Sequence, residues 1–170
     1  MSKVVLPVGT LRQPNDYVCG PTALKLVFEY WGRTDISLQT IVKAAKTTRR
    51  DGTLPKNLIL AARSFGFSVG QKFDATLKDI EHTIDQELPV IPVYQDWEVG
   101  RPFYQDWDDG HYAVIHGYDQ DQLYISDPSF DEGYRTLNKV WFFERWYDHD
   151  PFSKRHYNQW MMIVKPRKKV

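Results

Sequence analysis

Apolar residues in the first part of the chain recur with the spacing of an amphipathic helix. Between Gly20 and Tyr30 they return every third or fourth position, which places them on one buried face. Pro21 suits the first helical turn, where its missing N–H costs no hydrogen bond, and Gly32 suits the C-terminal end. The pattern therefore predicts a helix over residues 20–30, whose buried face is formed by Leu24, Val27, Phe28 and Trp31.

Three more helices are predicted from the residues at their first turns. Ser37 is a good N-cap for a second helix. A third covers Pro55–Ser64, with the proline in its first turn and Gly66 just beyond its end. A fourth begins with a sequence that resembles a capping box, in which the side chains of Thr76 and Asp79 bond each other's backbone N–H groups.

After residue 66 the pattern changes to the short apolar or alternating runs that are typical of strands. The predicted strands are 67–73, 89–94, 111–118, 122–126 and 159–165, with a short helix at 138–146. Residues 119–121 join two of these strands and predict an antiparallel hairpin. Because helices come first and strands second, with little alternation, the fold class is predicted to be α+β with an antiparallel sheet.

Composition is that of an ordinary globular domain, and we expect one domain over residues 1–170. The 22 basic and 22 acidic residues cancel, which argues against a nucleic-acid-binding surface. The single cysteine excludes an internal disulfide and a cysteine-based zinc cluster. No run reaches the about 18 apolar residues of a membrane span, and residues 1–10 lack the apolar region of a signal peptide. We therefore expect a cytoplasmic protein. Export by a route that needs no leader peptide is an alternative.

The one cysteine, Cys19, directly precedes the predicted first helix. Unpaired N–H groups and the positive end of the helix dipole favour the thiolate, which is the reactive form. Gly20 beside it lets a ligand approach the backbone closely. The alternative is an inert buried cysteine that packs as a small apolar side chain. The position of Cys19 alone leaves both interpretations open.

A nucleophilic cysteine needs a base, and five histidines are candidates. His111 begins a predicted strand directly after a loop, where functional residues tend to lie. His116 is five residues further along and is expected on the opposite face of that strand. His82 is expected on the surface of the fourth helix, and His149 and His156 are expected to be solvated in a polar stretch. His111 is equally compatible with a base and with a hydrogen-bonded strand residue.

Asp127 ends the partner strand of the predicted hairpin, just before Pro128. Antiparallel pairing brings it near His111, where its carboxylate can hold the imidazole in one tautomer. The alternative is that Asp127 only initiates a turn. Gln13 lies six residues before Cys19, and its side-chain amide can donate to the oxyanion that forms when the thiolate attacks a carbonyl.

A short sequence, Tyr94-Gln-Asp-Trp97, recurs as Tyr104-Gln-Asp-Trp107. Two copies are too few for a repeat architecture. They predict either an aromatic, acidic flap beside the site, which would favour a basic or amine-bearing substrate, or a surface loop with partly buried tryptophans.

Three segments carry the candidate residues in a set order. They are Gln13-x5-Cys19-Gly20-Pro21-x-Ala23-Leu24, Gly110-His111-Tyr112-x-Val114-Ile115-x-Gly117-Tyr118, and Asp127-Pro128. This ordered set, together with Gly52-Thr53, Ala61-Ala62 and Ser64-Phe-Gly-Phe67, resembles the bacteriocin-processing, double-glycine cysteine peptidases. The resemblance covers approximately residues 11–146.

The resemblance implies a papain-like fold, in which a helix that carries the cysteine packs on an antiparallel sheet that carries histidine and aspartate. It implies Cys19 as nucleophile, His111 as base, Asp127 as orienting acid and Gln13 as an oxyanion-hole residue. Family members that are fused to transporters cut leader peptides after Gly-Gly. No transporter or ATPase segment is recognisable in this sequence, so the leader substrate and the coupling to export stay open.

We therefore expect a cysteine peptidase or amidohydrolase that acts on a peptide or protein and needs no metal or organic cofactor. One alternative is an acyltransferase or deamidase that uses the same thioester chemistry. Another is a catalytically idle domain that binds a peptide in the same groove.

Overall fold

The chain forms helices that pack against an antiparallel sheet. The computed structural model describes residues 3–96, 107 and 110–167. Its helices are α1 (Cys19–Tyr30), α2 (Leu38–Ala44), α3 (Pro55–Ser64), α4 (Leu77–Asp85) and α5 (Lys139–Arg145). Its strands are β1 (Val4–Val5), β2 (Phe67–Lys72), β3 (Val90–Gln95), β4 (Gly110–Tyr112), β5 (Val114–Tyr118), β6 (Gln122–Ser126), β7 (Tyr134–Asn138) and β8 (Met161–Pro166). Across these residues, no helix has the length and apolar character needed to cross a membrane.

The helix signals read from the sequence are confirmed. The Ser37 side chain accepts the N–H of Thr40 at the start of α2, and both bonds of the Thr76–Asp79 capping box are formed at the start of α4. On the predicted inner face of α1, Leu24, Val27 and Phe28 are buried, whereas Trp31 follows the last residue of the helix and is partly buried. Phe28 stacks on Phe67 of β2 with ring centroids 4.4 Å apart. Local sequence signals therefore set the ends of these helices.

The sheet is antiparallel, with the strand order β2-β8-β3-β5-β6-β7. Strand β1 pairs with β5, and β4 pairs with β3. Helix α1 packs against β4 and β5 and also contacts α2 and α3. The predicted α+β class is confirmed, and the N-terminal end of α1 lies over the central strands.

The single strand predicted over residues 111–118 is wrong, because the structure divides it into β4 and β5 at Ala113. Strand β4 pairs with β3 through Tyr94 and His111, and β5 meets β3 in the same register at Val90 and Ile115. That register puts Pro92 opposite Ala113. Since proline has no N–H to donate, the ladder is interrupted there.

Strands β1 and β7 were not predicted from the sequence. Strand β1 has two residues, and it joins β5 beside an irregularity between Ile115 and Gly117. Strand β7 contains one buried side chain, Leu137, so its sequence has little of the apolar alternation that identifies a strand. Pairing with β6 stabilises it instead.

Candidate active site

Cys19 is the first residue of α1 and is buried. The N-cap residue, Val18, offers no side-chain bond to the N–H groups of the first turn. Those N–H groups have no partner within the helix, and they give its N-terminal end a partial positive charge. Cys19 therefore lies at the positive end of the α1 dipole.

His111 lies on β4, and its ring is fully buried. Its Nε2 atom is 2.8 Å from Oδ1 of Asp127, which directly follows β6. The hairpin of β5 and β6, paired through Val114 and Ser126, brings these two residues together across sixteen positions of sequence. The same oxygen accepts bonds from the backbone N–H and the hydroxyl of Ser129, at 2.9 and 2.8 Å.

Burial and charge act against each other on the His111–Asp127 pair. Burial lowers the pKa of His111, but the hydrogen bond to Asp127 and the interaction with Cys19 outweigh it and raise this pKa to about 10. Burial raises the pKa of Asp127, but His111 and Arg135 outweigh it and lower this pKa to about 2. The pair is therefore an imidazolium and a carboxylate at neutral pH. Asp127 contacts the ring through Nε2, and Cys19 also interacts with this ring.

Gln13 is buried, and it lies on the segment that leads into α1. Its backbone N–H donates to the Pro128 carbonyl at 2.9 Å, which ties it to the turn that carries Asp127. Its side-chain Nε2 donates to the Asn15 carbonyl at 2.9 Å. A side-chain amide has two N–H bonds, so one remains for a further acceptor.

The other histidines do not join this pair. The Nδ1 atom of His116 is 3.1 Å from the Leu6 carbonyl oxygen, on the N-terminal segment. The prediction that His149 is solvated is wrong: it is half-buried against Trp107, because a bridge between His149 and His156 folds this segment back. Two histidines are exposed as expected, His82 and His156.

A cavity of about 470 Å³ opens beside Cys19. Its walls include Tyr17, Thr53, Trp107, Tyr112 and Asp148. The Tyr112 hydroxyl donates to the Thr53 carbonyl at 2.8 Å, which joins β4 to the loop before α3. The cavity carries both acidic and basic side chains: Asp16, Asp51 and Asp148 against Arg49 and Arg50.

The repeated Tyr-Gln-Asp-Trp sequence is only partly described. Tyr94 and Gln95 of the first copy are the last residues of β3 and are buried, and Asp96, which follows them, is partly buried. Of the second copy, Trp107 lines the cavity. The rest of the predicted flap, at 97–106 and 108–109, lies outside the described residues.

Two neighbours of Asp127 carried no signal in the sequence, Ser129 and Arg135. Ser129 is part of a turn, and Arg135 lies on the unpredicted strand β7. The Nε atom of Arg135 is 2.9 Å from Oδ2 of Asp127, and its guanidinium also forms an ion pair with Asp96. Only the register of β6 and β7 brings Arg135 here.

Asp96, His111 and Asp127 each offer one potential metal-ligand atom, and these atoms lie within 4.8 Å of one another. However, Arg135 forms ion pairs with both carboxylates. A protein cation thus already balances the negative charge that would attract a metal ion. This cluster fits an ion-pair network better than a metal site.

The helix that begins with a buried cysteine packs against the strand that carries a buried histidine, and together with the family match below this fold makes the chain a cysteine peptidase of the papain-like type. The chain belongs to the Peptidase C39-like family, which it matches over residues 5–153.

A sequence relative is the transport/processing ATP-binding protein ComA of Streptococcus pneumoniae, which is 31% identical over 130 residues. The match covers 75% of this chain and 16% of ComA, so the chain spans less than a fifth of that relative.

Three solved structures share the fold. A protein from Bacillus anthracis described as a C39-like peptidase has a TM-score of 0.74 at 17% identity, and the match covers 99% of this chain and 100% of that one. A double-glycine-motif protease from an AMS/PCAT transporter, in complex with the leader peptide, has a TM-score of 0.63 at 18% identity, with 98% and 100% covered. The cysteine protease CMS1MS2 of Carica candamarcensis has a TM-score of 0.60 at 11% identity, with 95% and 94% covered. At these identities the likeness shows the fold alone.

Proposed function

We propose that the chain hydrolyses an amide bond in a peptide or protein substrate through a triad of Cys19, His111 and Asp127. One observation carries this proposal. The fully buried imidazole of His111 contacts the ionised carboxylate of Asp127 through Nε2. The same ring also interacts with Cys19, which lies at the N-terminus of a helix. This thiol lines the cavity of about 470 Å³, where we place the substrate.

The chemistry follows from the charges of the pair. The Cys19 thiolate attacks the substrate carbonyl carbon, and the His111 imidazolium then gives a proton to the leaving amine, which leaves a thioester and a neutral imidazole. His111 next takes a proton from a water molecule as that water attacks the thioester. The acid product leaves, and thiolate and imidazolium are restored. Asp127 stabilises the imidazolium and keeps its ring oriented.

The developing oxyanion needs hydrogen-bond donors close to Cys19. We assign this role to the backbone N–H of Cys19, in the first turn of α1, and to the second N–H of the Gln13 amide. The backbone tie from Gln13 to Pro128 supports the assignment, because it joins the Gln13 segment to the turn of Asp127.

Labelling with iodoacetamide at about pH 6 tests the nucleophile, because an ordinary thiol reacts slowly there and a thiolate paired with imidazolium reacts fast. We expect fast labelling of the wild type, no labelling of Cys19→Ala and slow labelling of His111→Ala. His82→Ala, which removes an exposed histidine, is the matched control and should label at the wild-type rate. Equal rates for His111→Ala and wild type would contradict the proposed pair.

Comparison of proteome cleavage products between wild type and Cys19→Ala tests the reaction. New peptide ends that depend on Cys19 are expected, and a peptide with a Gly-Gly leader sequence is a direct probe of the substrate that the resemblance implies. Addition of a primary amine separates hydrolysis from acyl transfer. If the amide product dominates over the acid at low amine concentration, the chain is a transferase.

The oxyanion assignment has its own test in Gln13→Leu. Removal of one such donor lowers kcat by roughly 10²- to 10³-fold. Iodoacetamide forms no oxyanion, so labelling of Cys19 should stay close to the wild-type rate. A variant that loses labelling and turnover together would instead show that Gln13 supports the structure of the site.

A further inference from the structure

An ion pair of Arg135 and Asp96 lies beside Asp127, and a carboxylate oxygen of Asp96 is within 4.8 Å of a ring nitrogen of His111 and of an oxygen of Asp127. The Nε atom of Arg135 is 2.9 Å from Oδ2 of Asp127. The guanidinium also pairs with Asp96, and its Nη2 atom donates to the Tyr94 hydroxyl at 3.2 Å. The Asp96 side chain is 4% exposed and that of Arg135 is 22% exposed, so water screens these charges weakly.

Both oxygens of Asp127 therefore have a partner. Ser129 and His111 form hydrogen bonds with Oδ1, whereas Arg135 contacts Oδ2 as an ion pair without a hydrogen bond. Rotation of the carboxylate away from the imidazole would break the hydrogen bonds of Oδ1 and separate Oδ2 from the guanidinium. The guanidinium is planar and can meet two acceptors at once, which a lysine ammonium does less well.

The charges alternate along this line of residues. Each element packed against Asp127 contributes titratable or charged groups. Strand β3 and its end contribute Tyr94 and Asp96, β4 contributes His111, and β7 contributes Arg135. Cys19 of α1 lies beyond His111. Arg135 lies between two buried carboxylates whose nearest oxygens are within 4.8 Å. Without a cation, two carboxylates this close cannot both stay ionised.

We infer that Arg135 and Asp96 form a positioning pair that keeps Asp127 charged and directed at His111. The inference rests on the proposed triad. Arg135 supplies the cation that holds Asp127 in place, and Asp96 balances and orients Arg135. Neither residue touches the reacting atoms.

The pH dependence of Cys19 labelling by iodoacetamide tests the inference. In Arg135→Met, Asp96 and Asp127 face each other and one takes up a proton. Whenever that proton is on Asp127, His111 loses the carboxylate to which it is hydrogen-bonded, and the thiolate becomes harder to form. We expect the acid limb of the labelling profile to move up by about one pH unit, which is about tenfold slower labelling at a fixed pH below the limb.

The double variant Asp96→Asn with Arg135→Met separates charge from structure. It removes the opposing carboxylate, so Asp127 is ionised again and the acid limb should return towards the wild-type position. A merely structural role for Arg135 predicts the opposite, a double variant as impaired as the single one or more so. An unchanged acid limb in Arg135→Met would also overturn the inference.

Arg135→Lys keeps the charge and provides the test if Arg135→Met does not fold. Its acid limb should stay within a few tenths of a pH unit of the wild type, and a limb that moves as far as expected for Arg135→Met would contradict a role through charge. Asp127→Asn is measured in parallel. If Asp127→Asn labels like the wild type, the triad itself fails; if only the Arg135 variants do, the triad stands and the positioning pair fails.

Discussion

At the scale of single residues, the site depends on how burial and charge combine at His111. A fully buried imidazole is normally neutral, since burial disfavours its charged form. Here Asp127 and Cys19 outweigh that effect, and the pKa of His111 rises to about 10. The ring is thus a proton donor at neutral pH, which is the state that a leaving amine requires.

Cys19→Ala should lower the pKa of His111, because the ring keeps Asp127 but loses one of the two partners that raise this pKa. NMR titration of the ring protons measures the change. His116, which contacts Leu6 on the N-terminal segment, is an internal reference and should titrate at the same pH in both proteins. An unchanged titration of His111 would show that the thiol does not interact with the ring.

At the scale of secondary structure, the N-terminal segment connects the sheet to the site. Its Leu6 N–H donates to the His116 carbonyl at 2.7 Å, and the Tyr134 hydroxyl donates to the Val8 carbonyl at 2.7 Å. The segment then reaches Pro128 through the Gln13 N–H. Strand β1 begins this path on β5, at a position where the two backbones lie close together.

Gly117→Ala should detach β1, because an added Cβ would lie 2.5 Å from the Val4 carbonyl oxygen and 3.0 Å from the Val5 Cα atom. We expect the free energy of unfolding to fall by about 1–3 kcal/mol, as for other overpacked sites. Urea denaturation measures the loss, and hydrogen exchange at Val4 and Val5 locates it.

The matched control for this variant is Gly70→Ala. Gly70 lies on β2, and a Cβ there would meet nothing within 4 Å. The control should leave the free energy of unfolding unchanged or slightly raised. Equal losses in the two variants would show that the effect comes from glycine replacement in a strand and not from contact with β1.

At the scale of the whole molecule, the site lies where the helical part meets the sheet. Cys19 comes from α1, whereas His111 and Asp127 come from β4 and the turn after β6. The ion pair therefore forms only in the folded chain, so its charges link stability to pH.

The pH dependence of stability has opposite signs for the two partners. The pKa of His111 is raised from 6.5 to about 10, so its contribution is complete below pH 6.5 and is lost as pH rises towards 10. The pKa of Asp127 is lowered from 3.8 to about 2, so its contribution is complete above pH 3.8 and is lost as pH falls towards 2.

The free energies of unfolding of the wild type and of His111→Gln should differ most between pH 3.8 and 6.5. The difference should shrink steadily between pH 6.5 and about 10. Urea denaturation across this range measures it. A difference that stays constant through the alkaline part would mean that His111 is neutral in the folded protein.

Sequence patterns determined much of the helical part and the choice of candidate residues. The 3.6-residue apolar period of α1, the Ser37 cap and the Thr76–Asp79 capping box are local, because a helix bonds only to residues of its own segment. Cys19 at a helix start and Asp127 at a strand end are likewise visible in short segments, as is the hairpin that brings His111 towards Asp127.

Tertiary structure decided the rest, because strand pairing joins residues that are far apart in the sequence. The interruption at Ala113 depends on Pro92 of a different strand, and β7 is a strand only because β6 pairs with it. That pairing brings Arg135 to Asp127, and the end of β3 brings Asp96 to Arg135. No local pattern encodes these contacts, because they exist only once the sheet has assembled.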